Sequence, residues 1–232
     1  MPGPFEYFLW FLGTLCEASV VVCALKRGLF RKYLLLNVFM ASSVLVSIGR
    51  YKVLAEYGFS SPQYLYVYFY SDALLTIMLY LALSSLYAQV FSEIKAERYV
   101  RLGTLLLLGG TALFSYGVVQ QSTSRLVTHF VVELSQNLYF VGLVLTYILW
   151  GAILKLRETR TQLVQLVLSL GLYFSVFAAA YALGNLYPQA NAILGSLVQV
   201  FGLILPMAWA YAFWRLPVDA RLAPSRLAVI PR

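Results

Sequence analysis

The sequence predicts an all-α, polytopic membrane protein with seven transmembrane helices, and three observations lead to this fold class. The 232-residue chain is 61% hydrophobic and only 11% charged, whereas a soluble domain usually carries about 25% charged residues. Its apolar residues form seven runs, each about as long as the roughly 17–25 residues that a spanning helix needs. Basic residues are concentrated in every second connection between the runs. We therefore interpret the net charge of +8 as a sign of membrane topology rather than of nucleic-acid binding.

The runs are predicted to form one bundle over residues 1–214, followed by a short basic cytoplasmic tail over 215–232. They cover residues 5–25, 33–53, 64–91, 102–119, 126–154, 161–183 and 192–214. The first is not predicted to be a signal peptide, because it lacks a basic start and Glu17 interrupts its apolar run. Short connections leave no room for a soluble domain between the helices.

The third and seventh runs each carry a local signal. Alternating tyrosines at 64–70 have the period of a strand, but an isolated strand within a long apolar run would leave its backbone unpaired in lipid. We therefore predict a helix, with Ser61 as its N-cap and Pro62 in its first turn. In the seventh run Pro206 predicts a kink, since proline cannot donate the helical backbone bond.

The distribution of basic residues predicts the orientation. Fourteen of the 17 lysines and arginines lie in the first, third and fifth connections and in the tail. Only Arg50, Lys52 and Arg125 lie on the opposite side. The positive-inside rule then places the N-terminus outside and the C-terminus in the cytoplasm.

A polar stripe on the third helix supplies the first candidate functional residues. At 100° per residue, Tyr68 and Thr76 each lie about 40° from Asp72, so the three share one side. An ionisable residue inside a membrane segment costs at least ~2.5 kcal/mol, and it indicates either function or a structural contact between helices. For Asp72 the two interpretations are evenly balanced.

Other helices that cross the membrane in the same direction as the third helix add further candidates. The fifth carries His129, Glu133 and Asn137 at helical spacing, the first carries Glu17 and the seventh carries Gln199. The complete set of ligand-binding or proton-relay candidates is Asp72, Glu133, Glu17, Asn137, Gln199, Tyr68, Thr76 and Arg50. At the helical rise Asp72 and Glu133 lie roughly 10–13 Å below the outer ends of their helices. We expect Asp72, Glu133 and Glu17 to converge within roughly 10–15 Å around one cavity, with Arg50 as the counter-ion.

Several chemistries are not predicted. The chain has a single histidine, so we expect no metal site at His129 and Glu133. Motifs of metalloproteases, P-loop enzymes and serine hydrolases are missing from the sequence, so no catalytic residue is proposed. The last helix contains no lysine, which excludes a retinal Schiff base and leaves a non-covalent lipid or pigment open.

The chain resembles a group of small bacterial seven-helix membrane proteins. The resemblance lies in "FEYFLW" (5–10), the basic "LKRGLFRK" (25–32), the tyrosine-rich third helix and the fifth helix that ends before "KLRETR". It implies the bacterial inner membrane and no particular activity.

Three functions remain open. The first is a non-enzymatic ligand- or lipid-binding protein, a sensory or accessory subunit that acts through a membrane protein partner or a second copy of itself. The second is a small-solute or proton-coupled transporter that uses the intramembrane carboxylates, and the third is an intramembrane enzyme. A polar path through the whole bundle, with alternating access, favours transport, whereas a closed pocket with a lipid-facing docking surface favours binding.

The predicted orientation can be tested with reporter fusions. A fusion at Arg232 should report the cytoplasm, and a tag placed before Pro4 should be accessible from outside the cell, because fourteen basic residues lie on one side. A reporter at Arg232 that is active only outside the cytoplasm would contradict the orientation.

Overall fold

The described residues form an all-helical structure joined by short connections, as predicted. The computed structural model describes residues 3–91, 97–120, 126–156, 160–187, 189 and 191–217. The helices in this part of the chain are α1 (Pro4–Lys26), α2 (Leu34–Tyr57), α3 (Pro62–Val90), α4 (Glu97–Gln120), α5 (Leu126–Lys155), α6 (Thr161–Leu186), α7 (Asn191–Gly202) and α8 (Ile204–Arg215). The predicted basic tail lies outside the described residues from 218 onward.

The tyrosine-rich run is helical from its first turn. The Ser61 hydroxyl accepts a hydrogen bond from the backbone N–H of Tyr64 at 3.1 Å, and Pro62 begins α3. The capping prediction is therefore confirmed. This start places the alternating tyrosines on a helix whose sides differ in polarity.

The predicted kink at Pro206 is a break between two helices. Because Pro206 has no N–H, it cannot donate to the carbonyl of Gly202, four residues earlier. Helix α7 ends at Gly202, and α8 begins at Ile204. The Leu203 N–H bonds instead to the Val200 carbonyl at 3.2 Å, which is the tighter three-residue turn.

Helix length and surface composition define a multi-pass membrane protein. Within the described ranges, six helical stretches are long and apolar enough to cross a membrane, with Leu197–Arg215 counted as one. Large apolar side chains such as Leu45, Leu113 and Leu154 are 70–73% exposed. Such exposure on many helices is unfavourable in water but suits contact with lipid chains.

Within the described residues, six helical segments form a ring, with α7 and α8 counted as one segment. Helices α1, α2, α3, α5 and α6 pack in that order, and α8 contacts both α6 and α1 to close it. Helix α1 packs closely along α8 but makes little contact with α7. The last segment therefore packs closely against α1 along α8 and only loosely along α7.

Helix α4 packs outside the ring, against α5 and α3. The Ser84 hydroxyl donates to Thr104 Oγ1 at 2.9 Å, and Asn137 Nδ2 donates to Ser115 Oγ at 3.0 Å. Its apolar stretch, Leu102–Gly117, is shorter than the other six. At 1.5 Å per residue this stretch covers about 24 Å, somewhat less than a bilayer core of about 30 Å.

The half of the bundle near the end of α1 and the start of α2 is densely packed, and we call it the packed half. Its buried core includes Leu36, Leu86, Leu149, Leu163, Leu166, Trp209 and Phe213. Polar groups there bond to the backbone across helices: Trp209 Nε1 donates to the Leu166 carbonyl at 3.3 Å, and Gln162 Nε2 to the Ala212 carbonyl at 3.3 Å. This packing leaves α6 and α8 firmly joined.

Two glycines allow close packing between α5 and α6. A Cβ atom at Gly142 would overlap the ring of Phe174, which is fully buried. A Cβ atom at Gly171 would lie 2.9 Å from Thr146 Cγ2. Small residues that let helices approach in this way are typical of membrane bundles.

Replacement of Gly142 should therefore destabilise the protein. Gly142→Ala would force the buried Phe174 ring to move, which should cost about 1–3 kcal/mol. In Gly151→Ala, on the same helix, the new Cβ meets nothing within 4 Å. Thermal unfolding in detergent should show a lower melting temperature for Gly142→Ala only, and equal melting temperatures would contradict the close packing.

Candidate functional site

The other half of the bundle, where α1 and α3 begin and α2 ends, contains a cavity of about 770 Å³. Side chains from α1, α2, α3, α5, α6, α7 and α8 line it, so it lies inside the ring. Along α3 it extends from Tyr64 to Leu79, about 22 Å at the helical rise. Phe39, Leu79 and Leu205 belong to both its wall and the buried core, so the packed half forms its floor.

Glu17 of α1 is held at the cavity wall by one hydroxyl. The Ser43 hydroxyl of α2 donates to Glu17 Oε1 at 2.6 Å. Glu17 Oε2 is buried and has no hydrogen-bond partner. A buried carboxylate oxygen without a donor is costly, so this atom is available to a ligand or a proton.

Arg50 is fixed near the mouth of the cavity by α3. Its Nε donates to Ser71 Oγ at 2.8 Å, and a terminal nitrogen donates to the Tyr68 carbonyl at 2.9 Å. Its guanidinium also lies 4.4 Å from the centre of the Tyr68 ring. These contacts position the charge, which attracts Glu17 and Asp72 through space.

Asp72 faces the cavity from α3. The Ser135 hydroxyl of α5 lies beside its carboxylate, but Ser135 Oγ completes no hydrogen bond. Tyrosines of three helices lie close enough to interact with its charge, namely Tyr68, Tyr139, Tyr173 and Tyr181. The carboxylate thus lies among hydroxyl groups and stays open to the cavity.

Stacked aromatic rings of α5 and α6 form the wall beside Asp72. The ring centres of Tyr139 and Phe177 are 5.1 Å apart, and those of Tyr173 and Phe177 are 4.2 Å apart. All three rings line the cavity. They give it a rigid, largely apolar surface next to the charged groups.

The structure brings five of the eight candidate residues to this one cavity. They are Asp72, Glu17, Gln199, Tyr68 and Arg50. Thr76 is buried just below, and its hydroxyl donates to the Asp72 backbone carbonyl at 2.8 Å. The Thr76 hydroxyl is thus bonded within its own helix, and Thr76 is not among the described residues that line the cavity.

Glu133 and Asn137 are not among the described residues that line the cavity. Tyr139 sets the cavity-facing side of α5, and Glu133, six residues earlier, points about 120° away from it. Asn137 points away by about 160° and bonds to Ser115 of α4. The structure thus brings together two of the three carboxylates expected to converge. The side chain of His129 lies outside the described residues.

The sequence analysis missed residues that complete the cavity. Ser43 was not singled out, although it supplies the only hydroxyl bonded to Glu17 within the described part of the chain. No residue of α6 was among the candidates, yet Tyr173 and Phe177 line the wall. Their i, i+4 spacing, continued by Tyr181, was a signal that could have identified this aromatic side.

Comparison of the chain with protein-family models, curated proteins and solved structures finds no match. The function of the cavity is therefore inferred from its geometry and charges.

Arg50 should stabilise the cavity electrostatically. Arg50→Gln removes the charge near Glu17 and Asp72 and weakens two hydrogen bonds, which should cost about 2 kcal/mol. Lys52→Gln, an exposed position on the same helix, is the control. Thermal unfolding should show a lower melting temperature for Arg50→Gln and an unchanged one for Lys52→Gln. Adding Asp72→Asn to Arg50→Gln should raise the melting temperature part of the way back. A double variant no more stable than Arg50→Gln would contradict a charge effect.

Proposed function

We propose that the protein binds a small amphipathic or lipidic ligand in this cavity and acts as a sensory or accessory subunit through a membrane partner. The observation that carries this proposal is a cavity of about 770 Å³ with a densely packed floor. Ligand pockets in proteins are usually about 300–1,000 Å³ and mostly apolar, with a few well-placed polar groups. Here those groups are Glu17, Arg50, Asp72 and Gln199.

The proposed setting is the bacterial inner membrane, with seven spanning helices and the N-terminus outside. Helix α4 supports the count of seven. Thr104, early in α4, bonds to Ser84 near the end of α3. Near the end of α4, the ring centre of Tyr116 lies 6.3 Å from that of Phe130, which is near the start of α5. Helix α4 therefore runs antiparallel to both neighbours along most of the bundle. With this orientation the cavity lies in the outer half of the membrane.

The shape of the ring supports entry of the ligand from the bilayer. Beyond Gly13, whose Cβ would lie 3.3 Å from the Leu203 side chain, α1 and α7 make little contact. Trp10 of α1 and Val198 of α7 both line the cavity. An amphipathic molecule of the outer leaflet that passes between these two helices would therefore reach it.

A proton-coupled carrier is the second candidate, because of the broken seventh segment. Carriers often bind their substrate where a discontinuous helix meets other helices near the middle of the membrane. Gly202 and Pro206, at the break between α7 and α8, both line the cavity. The packed floor favours binding over transport, since a buried apolar core closes the cavity at that end.

A substitution that fills the cavity should remove the ligand. Ser47→Trp places a large ring in the cavity, whereas Leu45→Trp, on the same helix, places it on the lipid-facing surface, where Leu45 is 70% exposed. Native mass spectrometry of protein extracted in lipid nanodiscs should find a bound small molecule in the wild type and Leu45→Trp. It should be lost in Ser47→Trp. A wild type without a specific bound molecule, or equal binding in all three proteins, would contradict the proposal.

A further inference from the structure

We infer that the ligand is a lipophilic organic cation with a single positive charge. This inference rests on the proposed function and names the chemical class of the ligand. Four charged side chains line the cavity among the described residues, namely Glu6, Glu17, Arg50 and Asp72. Three are acids and one is a base, so the cavity attracts cations.

Glu6 is engaged at the end of its own helix. Its Oε2 accepts a hydrogen bond from the Gly3 N–H at 2.8 Å, which caps α1. A carboxylate at a helix N-terminus is stabilised by the helix dipole and by the unpaired N–H groups there. The charges available to a ligand inside the cavity are therefore those of Glu17, Asp72 and Arg50.

When Glu17 and Asp72 are both ionised, these two acids and Arg50 together carry one negative charge in excess. Arg50 attracts both Glu17 and Asp72, but its hydrogen bonds go to Ser71 and the Tyr68 carbonyl, so it neutralises one carboxylate at most. Burial of an uncompensated carboxylate is costly. One monovalent cation in the cavity would balance the charge, and its binding would stabilise the fold.

Two carboxylate groups are placed to receive it. Glu17 Oε2 is buried without a partner, and the Asp72 carboxylate faces the cavity beside a serine that completes no hydrogen bond. A small inorganic cation requires several oxygen ligands at short distance. An organic cation does not, and it suits a cavity of this volume whose wall includes two carboxylates.

The remaining wall fits an apolar body around the charge. It includes the rings of Trp10, Phe69, Tyr173 and Phe177, together with aliphatic side chains such as Leu9, Val46 and Leu75. Aromatic faces accommodate both apolar groups and cations. Entry from the bilayer between α1 and α7, as proposed above, requires the molecule to be soluble in lipid as well.

Tetraphenylphosphonium and tetraphenylborate form a matched test pair, since they have the same shape and opposite charge. In separate calorimetric titrations of purified full-length protein in neutral detergent, the cation should bind about tenfold more tightly than the anion or better. Tighter or equal binding of tetraphenylborate, or no binding of tetraphenylphosphonium, would overturn the inference.

Variants identify the groups responsible. Asp72→Asn and Glu17→Gln should each weaken tetraphenylphosphonium binding by about tenfold or more without weakening tetraphenylborate binding. Glu133→Gln, which neutralises a carboxylate of α5 away from the cavity, should leave both unchanged. Equal effects of all three substitutions would overturn the inference. If it fails while Ser47→Trp still removes a co-purified molecule, the proposed binding function stands and the ligand is neutral or anionic.

Discussion

The architecture depends on one missing backbone hydrogen bond. Because Pro206 cannot donate to the Gly202 carbonyl, the last membrane segment divides into α7 and α8, which take different positions. Helix α8 packs against α1 and α6 and closes the ring around the packed half. Helix α7 follows α6 and makes little contact with α1. A continuous helix packed along α1 over its whole length would narrow the space in which the cavity lies.

The charged residues that face the interior of the ring lie in the half of the bundle that contains the cavity. Glu17, Arg50 and Asp72 line the cavity, whereas the packed half contains uncharged polar groups such as Gln162 that bond to the backbone. A charge in the packed half would lack both water and a partner, at a cost of several kcal/mol. In the half that contains the cavity, Arg50 provides an opposite charge to the two carboxylates, and the cavity leaves space for a ligand. Position along the helix thus decides whether a polar residue stabilises packing or serves a cavity.

Much of the fold follows from the sequence because helices in lipid must satisfy their own backbone. The long apolar helices, the N-cap at Ser61 and the interruption near Pro206 depend on residues close together in the chain. Glu17 and Asp72 were recognisable as well, because an ionisable residue in an apolar run stands out. The prediction that they share a cavity assumed that the first, third, fifth and seventh segments surround one common centre.

The remainder depends on which helices are neighbours, and periodicity within one helix does not contain that information. Glu133 and Tyr139 both lie on α5, but only the position of the neighbouring helices decides that Tyr139 meets the cavity and Glu133 does not. Ser43 resembles any other serine of an apolar helix until α1 places Glu17 beside it. The exclusion of α4 from the ring likewise comes from packing.

A cavity open toward one side and closed at the other is the central claim, and cysteine accessibility tests it most directly. With Cys16 and Cys23 replaced by serine, Ser47→Cys lies in the cavity and Leu36→Cys lies in the packed half. A charged, membrane-impermeant thiol reagent should modify Ser47→Cys only when added on the side of the N-terminus. It should modify Leu36→Cys from neither side. Modification of Ser47→Cys from both sides, or of Leu36→Cys from the opposite side, would contradict the account and favour a carrier.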